Sequence, residues 1–290
     1  MNLLCFGLGY SSQAFVARVR PRFETIVGTV RSRSKAGDLS RDGLAVRLLP
    51  GEEDALAADI ARADALLVSI PPDEDGDPVL RRFRREIAAA PRLGWIGYLS
   101  TIGVYGDHGG AWIDEDTPPR PVSRRSRWRL AADEAWLGLG RESGKAVQVF
   151  RLAGIYGPGR SAFDKLAAGT AQRLVKPGQI FNRIHVEDIA AVLEASLDRP
   201  RAGAIYNVTD DEPAPPQDVI TYAADLAGVA PPPETPFDET QLSPMARSFW
   251  GENKRVRNRL IRDELGVALA FPTYREGLRG LRPGDPAAQG

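Results

Sequence analysis

The chain of 290 residues is poor in cysteine and histidine, has no long apolar run, and carries no excess of either charge. Cys5 is the single cysteine, which excludes an internal disulfide and a cysteine-built metal centre. It lies within Leu3-Leu4-Cys5-Phe6, where a buried core thiol is expected rather than a reactive one. The two histidines, His108 and His185, stand far apart without a local acidic ligand pattern, so no metal site is expected. No stretch of about 18 apolar residues occurs, so no transmembrane helix is expected. The opening residues before Gly7 are too few and too uncharged for a signal peptide, and the expected compartment is the cytoplasm. Lys plus Arg and Asp plus Glu both number 38. That balance argues against nucleic acid and anionic membranes as partners.

What is present is an ordinary globular composition, 43% hydrophobic and 26% charged. The length allows one large domain or two smaller ones. Seven apolar or β-branched runs read as strands: Asn2–Phe6, Thr25–Val30, Ala45–Leu49, Ala65–Ile70, Trp95–Ser100, Val147–Leu152 and Ala204–Val208. Helix-period segments such as Gln13–Val19, Glu53–Ala61 and Val186–Leu197 alternate with them. The repetition predicts an α/β fold, a Rossmann-type doubly wound parallel sheet of about seven strands, with a smaller C-terminal substrate cap. Residues 1–155, rejoined by 183–210, are the expected dinucleotide-binding domain. Residues 156–182 and 211–281 are the expected cap, in which Glu252–Leu265 reads as a basic helix and Tyr274–Leu281 as a short last helix. Residues 282–290 read as a loose tail.

The first strand runs into Gly7-Leu8-Gly9-Tyr10-Ser11-Ser12 and then a helix. Gly7 permits the tight turn, and Gly9 lets backbone approach a pyrophosphate at the helix N-terminus. Ser12 stands where a third glycine is usual and is small enough for close packing. Gly7, Gly9, Tyr10, Ser11 and Ser12 are therefore expected to hold a dinucleotide. A site for NAD usually places an acid at the end of the second strand. Here that strand ends in Arg31-Ser32-Arg33-Ser34-Lys35, which suits a 2′-phosphate. NADP is the expected cofactor and NAD the alternative. A solvated basic loop would read the same way. Pro71, just after the fourth strand, completes the expected cofactor set.

Five segments together resemble the extended short-chain dehydrogenase/reductases, the NAD-dependent epimerase/dehydratase group. They are Ser100-Thr101-Ile102-Gly103-Val104-Tyr105-Gly106-Asp107, Asp114-Glu115-Asp116-Thr117-Pro118, Arg151 with Tyr156-Gly157-Pro158-Gly159, His185-Val186-Glu187-Asp188, and Tyr206-Asn207-Val208. The combination is most similar to the atypical, YeeZ-like branch. The resemblance implies a Ser or Thr that positions the substrate oxygen, and a Tyr-x-x-x-Lys pair that moves the proton. The hydroxyl falls on Thr101 with Ser100 beside it, although strand-end hydroxyls also serve simply to satisfy turns. The pair falls on Arg125 and Arg129, and no Tyr or Lys occurs between Gly106 and Gly144. Arginine stays protonated, so it can hold an anion but cannot trade a proton. His108 is the expected alternative proton carrier, whereas His185 reads as structural.

Two functions follow. One is an NADP-dependent oxidoreductase or epimerase-like enzyme. Its substrate is a nucleotide sugar or another small carbonyl or alcohol compound, aldehydes and phosphate- or carboxylate-bearing molecules included. The other is a catalytically weak or inactive dinucleotide-binding sensor or assembly factor. An intact glycine loop beside a missing Tyr-x-x-x-Lys pair is compatible with both.

Overall fold

In β1 (Asn2–Phe6), Leu3 and Cys5 face one hydrophobic core while Leu4 and Phe6 face another. That is the pattern of a strand covered on both faces. The computed structural model describes residues 1–41, 44–238, 240 and 242–282. Six further strands join β1: β2 (Thr25–Val30), β3 (Ala45–Leu48), β4 (Ala65–Val68), β5 (Trp95–Thr101), β6 (Ala146–Leu152) and β7 (Ile205–Val208). Every pairing is parallel, in the order β7-β6-β5-β4-β1-β2-β3. The order reverses at β1 and β4, which opens a crevice at their carboxyl ends. The fold is the Rossmann-type α/β fold that the sequence predicts, with strand boundaries shifted by at most two residues.

The helices are α1 (Tyr10–Val19), α2 (Arg33–Arg41), α3 (Glu53–Arg62), α4 (Pro78–Ala89), α5 (Arg124–Ser143), α6 (Ala162–Ala167), α7 (Val186–Asp198), α8 (Pro216–Ala227), α9 (Pro244–Trp250), α10 (Arg259–Asp263) and α11 (Tyr274–Gly280). Phe15, Val16, Leu39, Ile189 and Leu193 bring α1, α2 and α7 onto one face of the sheet. Leu56, Ile60, Phe83, Trp136 and Leu139 bring α3, α4 and α5 onto the other. Each such side chain contributes about 1.5–3 kcal/mol through burial. Cys5 is fully buried in the first of these cores, and burial pushes its thiol pKa up to about 12.

A smaller core unites α6, α8 and α11 through Phe163, Val219, Ile220, Tyr274 and Leu278. The stretch 252–265 departs from the expected helix. Arg255–Val256 forms a short strand beside Trp112–Ile113, with Arg255 N–H donating to Ala111 O and Arg257 N–H to Ile113 O. Tertiary pairing overrides helical periodicity there. Further on, Ile261, Leu265 and Val267 join the main core, so this part of the expected cap packs on the sheet instead. The expected loose tail lies, apart from Arg282, outside the described residues. Among the described residues no helix is long and apolar enough to cross a membrane. No group of three or more His, Cys, Asp or Glu among them is placed to hold a metal.

Candidate functional site

The glycine loop is braced from two strands. Gly7 turns at φ +96°, and a Cβ there would lie 2.6 Å from Ser69 Oγ. Gly7 N–H donates to Thr29 Oγ1 (2.8 Å) and Leu8 N–H to Thr29 O (2.9 Å). Ser69 Oγ, just past β4, donates to Gly7 O at 2.7 Å, and Ser12 Oγ donates to Ser69 Oγ at 2.9 Å. The Ser12 side chain is therefore fully buried against Ser69. Its hydroxyl packs the loop and leaves its N–H for a ligand.

Gly9 enters α1 without a side-chain cap, and no acid lies in the first turn. The first-turn N–H groups of Tyr10, Ser11 and Ser12 have no intrahelical acceptor. A Cβ on Gly9 would meet nothing within 4 Å. An uncapped, positive helix end facing open space fits a pyrophosphate. Arg31 and Ser32 follow β2, Arg33 opens α2, and all three are exposed with no acid beside them in sequence. Pro71 is exposed at the rim, one residue beyond Ile70, whose Cγ1 lies 3.1 Å from the Cβ position of Gly7.

Thr101 ends β5 and caps the short helical turn Ile102–Tyr105, its Oγ1 accepting from Gly103 N–H at 3.1 Å. The hydroxyl proton remains free to be donated. Thr101 lines a cavity of about 990 Å³ that lies between the ends of β5 and β6 and the α6–α8–α11 core. Ser126 Oγ on α5 is close by, 3.1 Å from the Cβ position of Gly103, with Thr101 Oγ1 at 3.4 Å.

The other expected catalytic residues are not brought to this cavity. Ser100 points the opposite way along the strand, into a buried cluster with Asp133 and Arg151. Arg151 Nε donates to Asp133 Oδ2 at 3.2 Å, and burial still pushes the Asp133 carboxyl up to about 6 against the opposing pull of Arg151. Arg125 is exposed on the outer side of α5. Arg129 Nη1 donates to Leu99 O (2.7 Å) and Tyr98 Oη (3.2 Å), bracing β5. His108 Nε2 lies 3.1 Å from Tyr105 O, and the His108 backbone N–H donates to Asn253 O, in a loop outside the cavity lining. Helix rotation and loop path, which spacing alone does not set, decide all three placements.

Three nearby tyrosine hydroxyls donate elsewhere. Tyr10 donates to Pro158 O at 2.9 Å, Tyr105 to Asn207 Oδ1 at 2.9 Å and Tyr156 to Thr273 O at 3.4 Å, while Tyr98 accepts from Arg129. Burial raises the pKa of each of the four. A lysine does reach the cavity from a distance. Lys254 Nζ donates to Gly106 O (2.8 Å) and Glu252 Oε2 (2.5 Å), and both side chains line the cavity while being 6% and 11% exposed. An ammonium has three donors, so one is left over. Asn182 fixes this segment by donating to Lys254 O and accepting from Val256 N–H. Ser69, Thr29, Ser126 and Lys254 were not legible as site residues, because each arrives from a different element with no motif of its own.

The sheet order, the braced glycine loop and the Thr101 turn together define the extended short-chain dehydrogenase/reductase fold. The dTDP-glucose 4,6-dehydratase from Bacillus anthracis, in complex with NAD, superposes with a TM-score of 0.75 at 17% identity, over 96% of this chain and 94% of its own. A functionally unknown conserved protein from Silicibacter pomeroyi superposes with a TM-score of 0.90 at 51% identity, over 97% of both chains. Protein YeeZ of Escherichia coli (strain K12) is 31% identical over 280 residues, 92% of this chain and 94% of YeeZ. No family model matches. The chain belongs to the family of protein YeeZ, and it shares the fold of the NAD-dependent epimerase/dehydratase structures.

Proposed function

We propose that this protein binds NADP(H) across the crevice at β1 and β4 and uses it as an oxidoreductase or epimerase-like enzyme. Its substrate is a nucleotide sugar or another small carbonyl or alcohol compound held in the cavity. The observation that carries the reading is the open, uncapped N-terminus of α1 at Gly9, on the same carboxyl edge of the sheet as Thr101 and its cavity. Gly7, Gly9 and the N–H groups of Tyr10, Ser11 and Ser12 hold the pyrophosphate. Arg31, with Ser32 or Arg33, takes the 2′-phosphate, where a carboxylate would repel it. When bound, the nicotinamide supplies hydride exchange at its C4.

Thr101 donates its free hydroxyl proton to the substrate oxygen. Lys254 offers its third N–H to the same ligand and stabilises negative charge there. Residues 1–155 with 183–210 form the cofactor part, and 156–182 with 211–281 the cap, whose Ile261, Leu265 and Val267 pack back on the sheet. The dTDP-glucose 4,6-dehydratase shares the fold, which supports the substrate class. A sensor or assembly factor is the second reading. It is favoured by the three tyrosine hydroxyls that donate elsewhere and by the missing Tyr-x-x-x-Lys pair. The deciding experiment is hydride transfer from NADPH to a panel of aldehydes, ketones and nucleotide sugars, followed by loss of NADPH absorbance, alongside NADPH titration. Turnover that Thr101→Val abolishes supports the enzyme; tight cofactor binding with no turnover supports the sensor.

A further inference from the structure

Arg160 closes a tight turn pressed against the cofactor loop. Arg160 N–H donates to Gly157 O (3.0 Å) and Gly157 N–H to Arg160 O (3.3 Å), while Tyr10 Oη donates to Pro158 O within the turn. Gly157 sits at φ +155°, and a Cβ there would fall 2.6 Å from Tyr10 Oη and 2.7 Å from Val186 Cγ1. The approach is that close. From this turn the Arg160 guanidinium lies over the Tyr10 ring, 5.8 Å from its centre, and also lines the cavity. An aromatic face holds a guanidinium without neutralising it.

Among the described residues the Arg160 side chain makes no hydrogen bond and no ion pair. Two carboxylates lie within electrostatic reach of Tyr10 alongside it, Asp164 and Glu187. Asp164 is used by Ser161, whose N–H and Oγ both lie 2.6 Å from it. Glu187 occupies the first turn of α7, where a helix N-terminus favours negative charge. Under the same turn, His185 is 2% exposed and its Nε2 has no partner. That nitrogen lies 3.5 Å from the Cβ position of Gly157. His185 Nδ1 accepts from Glu187 N–H at 3.3 Å, so Nε2 carries the ring proton. An unpaired guanidinium, a buried donor without an acceptor and the open end of α1 all stand around Tyr10 and Gly157.

We propose that Arg160 is a phosphate-binding residue at the junction of the cofactor loop and the cavity. It takes the pyrophosphate of the dinucleotide through a forked guanidinium contact. The inference rests on the dinucleotide reading above and adds a residue from outside the glycine loop. The test titrates wild type, Arg160→Gln and Arg160→Lys with NADPH by fluorescence and with UDP by calorimetry. Arg160→Gln is expected to weaken NADPH by about tenfold or more, with partial recovery in Arg160→Lys and an unchanged melting temperature, because the side chain is exposed. A loss confined to UDP would assign the phosphate to the substrate instead. Equal affinities of wild type and Arg160→Gln for both ligands would overturn the proposal. If the wild type binds no NADPH, the dinucleotide reading fails and the UDP arm alone decides Arg160. Binding of neither ligand by the wild type overturns both.

Discussion

Arg129 Nη1 lies 2.7 Å from the carbonyl oxygen of Leu99, two residues before Thr101. Arg129 is thereby a brace of β5, tied also to Tyr98 Oη. A charged donor to a part-buried acceptor contributes about 1.5–3 kcal/mol. Arg129→Gln should therefore lower unfolding stability by about that amount. Arg125→Gln, on an exposed side chain, should change it by less than about 0.5 kcal/mol. Urea denaturation of the pair checks this, and equal effects would argue against the brace.

Cofactor preference should follow Arg31. The wild type is expected to bind NADPH more tightly than NADH. Arg31→Asp should reverse the order, since a carboxylate repels the 2′-phosphate and accepts from a free ribose hydroxyl. Titration of both cofactors against both proteins decides it. Equal wild-type affinities would remove the specificity claim and leave dinucleotide binding untouched.

Thr101 has two separable roles. As the cap on Gly103 N–H it should contribute about 1 kcal/mol to stability. As the donor to the substrate oxygen it should contribute about 10²-fold or more to turnover. Thr101→Val should lose both, and Thr101→Ser should keep both. Thermal melts beside NADPH oxidation rates separate the two effects.

His185 should make the protein acid-sensitive. Burial lowers its pKa from the ordinary 6.5 to about 4, and the ring is packed between Tyr156 and Phe271. On acidification the unfolded chain takes up the proton first. Stability from this group is full above pH 6.5 and lost progressively down to about pH 4. Asp133 acts in the opposite sense, because its folded pKa is raised from 3.8 to about 6. The folded state thus gains stability as Asp133 is protonated on the way down. The His185 contribution must be read as a difference. The stability gap between wild type and His185→Gln should narrow as pH falls from 6.5 to 4. A gap constant across that range would show that His185 does not titrate differently on folding.

The seven main strands were legible because parallel strands buried on both faces read as continuous apolar runs. Arg255–Val256 and Trp112–Ile113 were not. They are two-residue strands created by one another, and Arg255–Val256 lies inside a segment whose local pattern is helical. The glycine loop was legible from spacing, since Gly7 and Gly9 answer to backbone geometry within a few residues. Arg125 and His108 lie away from the Thr101 cavity because the rotation of α5 and the path of the 106–111 loop depend on packing with Trp136 and on bonds to Asn253. Lys254 and Ser69 escaped notice for a related reason. Each is brought to the site by the fold, Lys254 across 148 positions to Gly106.

Dinucleotide binding at the open end of α1 is tested most directly by Gly9→Ala. Gly9 has φ −88°, which alanine adopts freely, and its Cβ would meet no protein atom within 4 Å. The substitution should leave the melting temperature unchanged while placing a methyl group where the pyrophosphate belongs. NADPH titration by fluorescence is expected to show binding to the wild type and a loss of about tenfold or more in Gly9→Ala. An equally stable variant that binds NADPH as tightly as the wild type would contradict placement of the cofactor on this loop.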